Sequence, residues 1–347
     1  AWLVISVAVN LGFIGFFKYG GFMLHNWQAL MASLGVEYVP PAWHIVLPVG
    51  ISFYTFVTMS YTLDVYLGRS KPIESPLNYA LFVTFFPHLV AGPIVRPTQL
   101  VPQFYEPKQA NRDQLLWGLG LMILGLFEKV VIADGGLSSA ADQVFGAQGP
   151  VGFADAWLGT LAFSGQIFCD FAGYSTIAVG AALCLGFGLP DNFRMPYAAM
   201  GFSDFWRRWH ISLSTWLRDY LYVPLGGNRK SELRTYANLM TTMLLGGLWH
   251  GANWTFVAWG GLHGIYLAVE RWIRDRTGIH GEPVRWVNRL ALALLTYGLV
   301  NITWVFFRAH TFGGAATILK GMFGFAAGAE PVLATIYMIK VGVLITG

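Results

Sequence analysis

The stretch Leu245-Gly-Gly-Leu-Trp-His250-Gly-Ala-Asn-Trp254 sets one histidine between glycines and tryptophans in an otherwise apolar run. A neutral imidazole titrates near working pH, so it can take a proton from an alcohol whose oxygen is attacking a thioester. Gly251 would allow a tight turn that faces the ring into a cavity, with Trp249 and Trp254 walling it off on either side. The plainer alternative is a buried histidine donating to a backbone carbonyl. Asn253, three residues on, is either an orienting group for that ring or a turn residue.

A second cluster reads Ser203-Asp-Phe-Trp-Arg-Arg-Trp-His210-Ile-Ser-Leu-Ser214, followed by Trp216-Leu-Arg-Asp-Tyr220 and Pro224-Leu-Gly-Gly-Asn-Arg229. Ser203 is placed to cap a helix, Asp204 to meet its positive end, and Arg208 to pair with Asp204 four residues earlier. Alternating Trp, Tyr and Arg suits an amphipathic segment at a membrane interface better than a phosphate site. A third cluster, Asp170-Phe-Ala-Gly-Tyr174-Ser175, carries the lone charge of residues 156–190. Its carboxylate either orients an imidazole or satisfies helix ends. His263 follows His250 by 13 residues, roughly 20 Å along a continuous helix, too far for a shared site. His88 sits among prolines and reads as structural. His25, His44, His280 and His310 have no supporting context. The chain shows no Gly-x-Ser-x-Gly elbow, no phosphate-binding Gly-x-x-x-x-Gly-Lys loop and no pattern of metal ligands.

What must position these groups follows from composition. Of 347 residues 55% are hydrophobic, 16% aromatic and 12% charged, against about 25% charged in soluble domains. With a mean hydropathy of +0.52, the chain reads as integral to a membrane and in contact with lipid. Its net charge of +4 belongs to the loops: Arg207, Arg208, Arg218, Arg229, Lys230 and Arg234 form one basic stretch, and Arg271, Arg274, Arg276, Arg285 and Arg289 another. The positive-inside rule puts both in the cytoplasm and leaves no reason to invoke nucleic acid. Cys169 and Cys184 lie in apolar stretches and read as small buried hydrophobes.

A bilayer crossing takes about 20 apolar residues. Residues 45–63, 77–95, 115–133, 251–269 and 290–307 qualify, and Glu128 and Lys129 in the third are expected to snorkel from a helix end. Residues 156–190 are too long for one upright crossing and are expected to form two segments meeting near Asp170. Between the two basic stretches, residues 236–269 must leave and return in legs of about 14 and 19 residues, with His250 at the junction. The first leg is too short to cross alone, so the turn is expected within the membrane thickness, where irregular backbone needs a cavity or protein around it. A histidine there is costly and points to function.

The blocks Phe205-Trp-Arg-Arg-Trp-His210 and Gly247-Leu-Trp-His250-Gly resemble the signature of the membrane-bound O-acyltransferase (MBOAT) family. Pro87-His-Leu-Val-Ala-Gly-Pro93, Ile94-Val-Arg-Pro97 and Trp216-Leu-Arg-Asp-Tyr-Leu-Tyr-Val-Pro-Leu-Gly-Gly-Asn-Arg229 are similar to the branch that contains the alginate O-acetylation membrane protein. The D-alanyl transferase of teichoic acids is a more distant likeness. The similarity runs from about residue 47 to residue 263. It implies an all-α, polytopic transmembrane bundle with re-entrant or broken helices around a central tunnel, nine to eleven segments in all. One such domain covers 1–347 and reads as cut at both ends, because residues 1–17 and 331–347 are already apolar.

By the same resemblance His250 is the catalytic histidine and His210 a second one lining the acyl tunnel. Asp170, Tyr174 and Asn253 are possible supporting residues. The Asp170 block departs from the family's usual Asp-Phe-Ser-Gly-Tyr-Ser-Asp, with Ala172 and Thr176 in place of a hydroxyl and a carboxylate. The implied activity is transfer of an acyl group, acetyl before D-alanyl, from a cytoplasmic thioester such as acetyl-CoA to an extracytoplasmic exopolysaccharide hydroxyl, through extracytoplasmic partner proteins. No bound cofactor and no metal are implied, and the setting is the bacterial cytoplasmic (inner) membrane. The competing class is a transporter or export channel for polysaccharide or a small solute, which would call for opposed repeats and more charge along the path.

Overall fold

The computed structural model describes residues 2–41, 45–278 and 285–346, so the readings that fall on His44 and His280 lie outside it. Among the described residues all regular structure is helical. The N-terminal part comprises α1 (Trp2–Ser33), α2 (Ile51–Tyr66), α3 (Pro76–Thr84) and the single turn α4 (Pro97–Leu100). Next, α5 (Arg112–Leu126) runs through a π-helical stretch, Phe127–Leu137, into α6 (Ser138–Phe145), and α7 (Phe153–Cys184) follows. The short α8 (Phe202–Arg208) and α9 (Ile211–Leu217) lead to α10 (Glu232–His250) and α11 (Trp254–Thr277). The chain continues through α12 (Trp286–Arg308), α13 (Phe312–Met322) and α14 (Thr335–Thr346).

Among the described residues four runs are long and apolar enough to cross a bilayer unaided: α1, the continuous α5-to-α6 run, α7 and α12. That is fewer than the nine to eleven expected from sequence, and the difference has identifiable causes. Residues 77–95 do not form one span. The α3 helix stops at Thr84, and the segment beyond it carries Pro87, Pro93 and Pro97, none of which has an N–H for a helical ladder.

Residues 156–190 depart in the opposite direction. The two segments expected to meet near Asp170 are one helix of 32 residues, about 48 Å long. The glycines that suggested a break make a packing groove instead. A Cβ on Gly173 would lie 2.6 Å from the Gly125 carbonyl oxygen, and one on Gly180 would lie 2.5 Å from that of Gly118. Two backbones thus approach along α5 and α7 as small residues permit between helices in lipid. Glu128 and Lys129 also differ from expectation, because the helix carries on through them as the π-helical stretch. Instead of snorkelling from an end, Lys129 forms an ion pair with Asp170 of α7 and lies 3.6 Å from Asp134.

The buried apolar side chains form two clusters. One gathers Trp209, Trp259, Trp304 and Phe163 among α7, α11 and α12. The other contains Phe56, Trp216 and Trp249, with Phe56 stacked on Trp216 at 4.0 Å and on Trp249 at 5.2 Å between centroids. The α10–α11 hairpin joins them, since Trp249 belongs to one cluster and Trp259 to the other, and His250 stands between.

Candidate active site

His250 is the last residue of α10, and α1 holds that helix end. The Lys18 ammonium donates to the Trp249 carbonyl and, at 3.0 Å, to Ser52 Oγ, while Tyr19 Oη donates to the Leu248 carbonyl at 2.8 Å. These donors reach the final carbonyls of α10, which have no partner in the helix itself. The turn that follows is extended at Gly251, with φ −161° and ψ 149°, so glycine is not needed there for a left-handed turn. It is needed for space: a Cβ would overlap the Phe256 ring.

The His250 ring is wedged edge-on among Trp249 at 4.9 Å, Trp259 at 5.1 Å and Phe307 at 5.2 Å. It is half-buried rather than sealed. Neither ring nitrogen has a hydrogen-bond partner among the described residues, so the alternative of a histidine tied to a backbone carbonyl is not realised. The ring faces a cavity of about 500 Å³ whose wall also includes Lys18, Asp170, His210, Trp259 and Trp304. A second cavity of about 390 Å³ shares Ile167, Asp170 and Phe307 with the first and adds Gln166, Asn253, Arg308 and His310.

His210 enters the same cavity from a different kind of backbone. It sits between α8 and α9 at φ 42° and ψ 56°, a left-handed conformation uncommon for a residue with a Cβ. Its Nδ1 lies 3.1 Å from Asn192 Oδ1, and Phe171 packs edge-on at 4.6 Å. Asn192 binds the α9 start as well: its Oδ1 accepts from Ser212 N at 3.2 Å and Ser212 Oγ at 2.9 Å, and its carbonyl accepts from Ile211 N at 2.9 Å.

The other sequence candidates are distributed unevenly. Asp170 lines both cavities. Asn253 lines the smaller one and also caps α11, its Oδ1 accepting from Thr255 N at 3.1 Å and its Nδ2 donating to the His310 carbonyl at 2.9 Å. Tyr174, about 6 Å further along α7 than Asp170, lines neither cavity. His263 is fully buried behind Trp259, with Nε2 3.0 Å from Thr303 Oγ1, and His88 Nε2 is 3.2 Å from the Phe82 carbonyl.

The basic block around His210 does structural work. Asp204 pairs with Arg208 at 3.0 Å, as the spacing suggested. The α8 start is capped differently, because Glu270 of α11 accepts from Phe202 N and Ser203 N in place of a Ser203 cap. Asp219 is gripped by Arg96 at 2.7 Å and Arg218 at 2.7 Å. Burial opposes ionisation of this carboxyl, but the hydrogen bonds from Arg218 and Arg96 outweigh it and hold its pKa below the ordinary aspartate value.

Sequence reading passed over Asn192, Lys18, Arg308 and His310. Lys18 carries the one retrievable signal, a single charge deep in an apolar run. Asn192 lies in the short polar segment between Pro190 and Pro196, where no periodicity marks it.

Comparison with known proteins closes the case for the family. The sequence model of the membrane-bound O-acyltransferase family matches residues 69–279, more than half of the chain and inclusive of both cavity histidines. The probable alginate O-acetylase AlgI of Pseudomonas putida is 45% identical over 325 residues, covering 93% of this chain and 65% of its own length. The peptidoglycan O-acetyltransferase of Helicobacter pylori is 40% identical over 354 residues, covering 93% and 64%. The teichoic acid D-alanyltransferase of Streptococcus thermophilus is 28% identical over 326 residues, covering 82% and 75%. The chain spans less than two thirds of the length of the first two relatives. With its helical architecture, its two histidine blocks and this match, the chain belongs to the membrane-bound O-acyltransferase family.

Proposed function

We propose that this chain carries the acyl-transfer centre of a membrane O-acetyltransferase of the bacterial cytoplasmic membrane. In this reading it moves acetyl from a cytoplasmic thioester, acetyl-CoA or another, toward an exopolysaccharide hydroxyl outside the membrane, by way of extracytoplasmic partner proteins. The observation that supports it best is His250 itself: an imidazole with both nitrogens free of hydrogen-bond partners among the described residues, facing a roomy cavity and walled by three aromatic rings. The names of the relatives favour acetyl over D-alanyl, since three that are 45–46% identical over 93% of the chain are called probable alginate O-acetylases, whereas a D-alanyltransferase is 28% identical.

The chemistry balances without a further reactant. The acceptor oxygen attacks the thioester carbonyl carbon while a ring nitrogen of His250 removes the hydroxyl proton. The tetrahedral intermediate collapses with cleavage of the C–S bond, and the departing thiolate takes the proton from the imidazolium. His250 returns to its neutral form. The aromatic wall keeps water from competing with the acceptor for the thioester. Asp170, shared by the two cavities, stands where an acceptor entering the smaller one would meet the larger.

The deciding experiment replaces His250 by alanine in the full-length protein and measures O-acetyl groups on the cell's surface glycan by mass spectrometry. Loss of general-base catalysis costs about 10²–10⁴-fold, so acetylation should fall to background while the variant still inserts and purifies as a folded protein. A folded His250→Ala protein that acetylates normally would remove the acyltransfer reading.

A further inference from the structure

We propose that Asn192 is a positioning residue that locks His210 in the tautomer with the proton on Nδ1, leaving Nε2 as a bare hydrogen-bond acceptor for an N–H or O–H group of the substrate. The orientation of the Asn192 amide is fixed by its neighbours. The backbone N–H of Ser212, 3.2 Å away, can only donate, so the amide atom facing it is Oδ1. Ser212 Oγ accepts from Ile94 N at 3.0 Å, which leaves its own proton for Asn192 Oδ1 at 2.9 Å. On the other side, Asn192 Nδ2 donates to Ser175 Oγ at 3.1 Å.

An amide oxygen cannot donate, so His210 Nδ1, 3.1 Å from it, must carry the hydrogen. A neutral imidazole has only one N–H, and Nε2 is therefore an unprotonated acceptor. That nitrogen is buried and has no partner among the described residues, while the residue forms part of the wall of the cavity that His250 faces. Buried polar atoms without partners are rare in native structures. For one on a residue that lines a cavity, the missing partner is assigned to a group that arrives with the ligand. The rings of Phe171, Phe193 and Trp249 surround His210; the two phenyl rings have no donor, and the indole N–H of Trp249, whose ring centre is 6.1 Å from that of His210, makes no hydrogen bond to it among the described residues.

Asn192 also fixes the ring's position. Its backbone carbonyl accepts from Ile211 N, and its side-chain oxygen accepts from Ser212, so the residues on the far side of the left-handed His210 are anchored to the same asparagine. His210 and His250 then divide the work: one nitrogen holds a substrate N–H or O–H, the other takes the reacting proton. This division rests on the acyl-transfer reading, whereas the tautomer does not.

Nitrogen-15 NMR of the full-length protein, labelled in histidine and reconstituted in lipid, reads the tautomer directly, with His210→Gln supplying the assignment. The expected spectrum has a protonated, pyrrole-type Nδ1 and a bare, pyridine-type Nε2. Asn192→Asp keeps an oxygen acceptor and should keep this spectrum, while Asn192→Leu should lose it. A wild-type ring protonated on Nε2, or on both nitrogens, would overturn the proposal whether or not the protein proves to be an acyltransferase.

Thiol release from acetyl-CoA, with a soluble oligosaccharide as the hydroxyl acceptor, then identifies the bound group. If Nε2 holds an N–H of the donor, Asn192→Leu raises the KM for acetyl-CoA about tenfold. If it holds the acceptor O–H, kcat falls by about that factor with KM unchanged. Asn192→Asp rescues either change. A tautomer lost in Asn192→Leu with both constants unchanged would show that Nε2 binds no substrate and would refute the functional half.

Discussion

The Lys18 ammonium of α1 donates to the backbone carbonyl of Trp249, the residue immediately before His250. A cation at a helix C-terminus offsets the partial negative charge of carbonyls that have no partner in the helix. Replacing it with Lys18→Met should lower stability by about 1–3 kcal/mol, read as an earlier thermal unfolding midpoint in detergent. Lys18→Arg, which keeps the charge, should recover most of the loss. An unchanged midpoint in Lys18→Met would mean that the end of α10 is held by Tyr19 alone.

Gly251 and Phe256 make a second testable contact. Because a Cβ at position 251 would overlap the Phe256 ring, Gly251→Ala should cost about 1–3 kcal/mol through overpacking. Phe256→Ala should relieve most of that cost in the double variant. The two substitutions must therefore be non-additive in a double-mutant cycle; strictly additive losses would contradict this account of the glycine.

Asp170 and Lys129 should be coupled in the same way, for an electrostatic reason. Asp170→Leu strands the Lys129 ammonium with Asp134, at 3.6 Å, as its one remaining ion-pair partner among the described residues. Loss of a hydrogen bond to a charged group costs about 1.5–3 kcal/mol. Adding Lys129→Met to Asp170→Leu should return part of the folded yield, because two apolar groups leave no charge unpaired. Equal yields from the single and double variants would show that Lys129 finds water or lipid headgroups instead.

The Arg96–Asp219–Arg218 grip makes a pH prediction. The folded-state pKa of Asp219 is depressed by its two arginines, so its contribution to stability is fully present above the unfolded value of about 3.9. That contribution is lost as pH falls through the lower, folded value. Wild type should therefore exceed Asp219→Asn in unfolding midpoint at neutral pH, and the gap should narrow as the pH is lowered below about 4. A constant gap down to the acid limit would mean that the contact contributes by packing and not by charge.

His250 and His210 stood out as candidates through the resemblance of their two blocks to a known family. Composition and local pattern alone determined that this chain is helical and suited to a membrane, because polarity and residue order report directly on solvent and on neighbours along the chain. The Asp204–Arg208 pair was legible for the same reason, being one helical turn apart. Tertiary structure alone decided what holds and surrounds those groups. Lys18 reaches a carbonyl 231 residues away, and Asn192 reaches His210 across 18 residues that include the short α8; no periodicity connects such partners. Glycine was ambiguous for a related reason. The residue that breaks a lone helix also lets two backbones touch, and only the presence of Gly125 opposite Gly173 settles that α7 runs on unbroken.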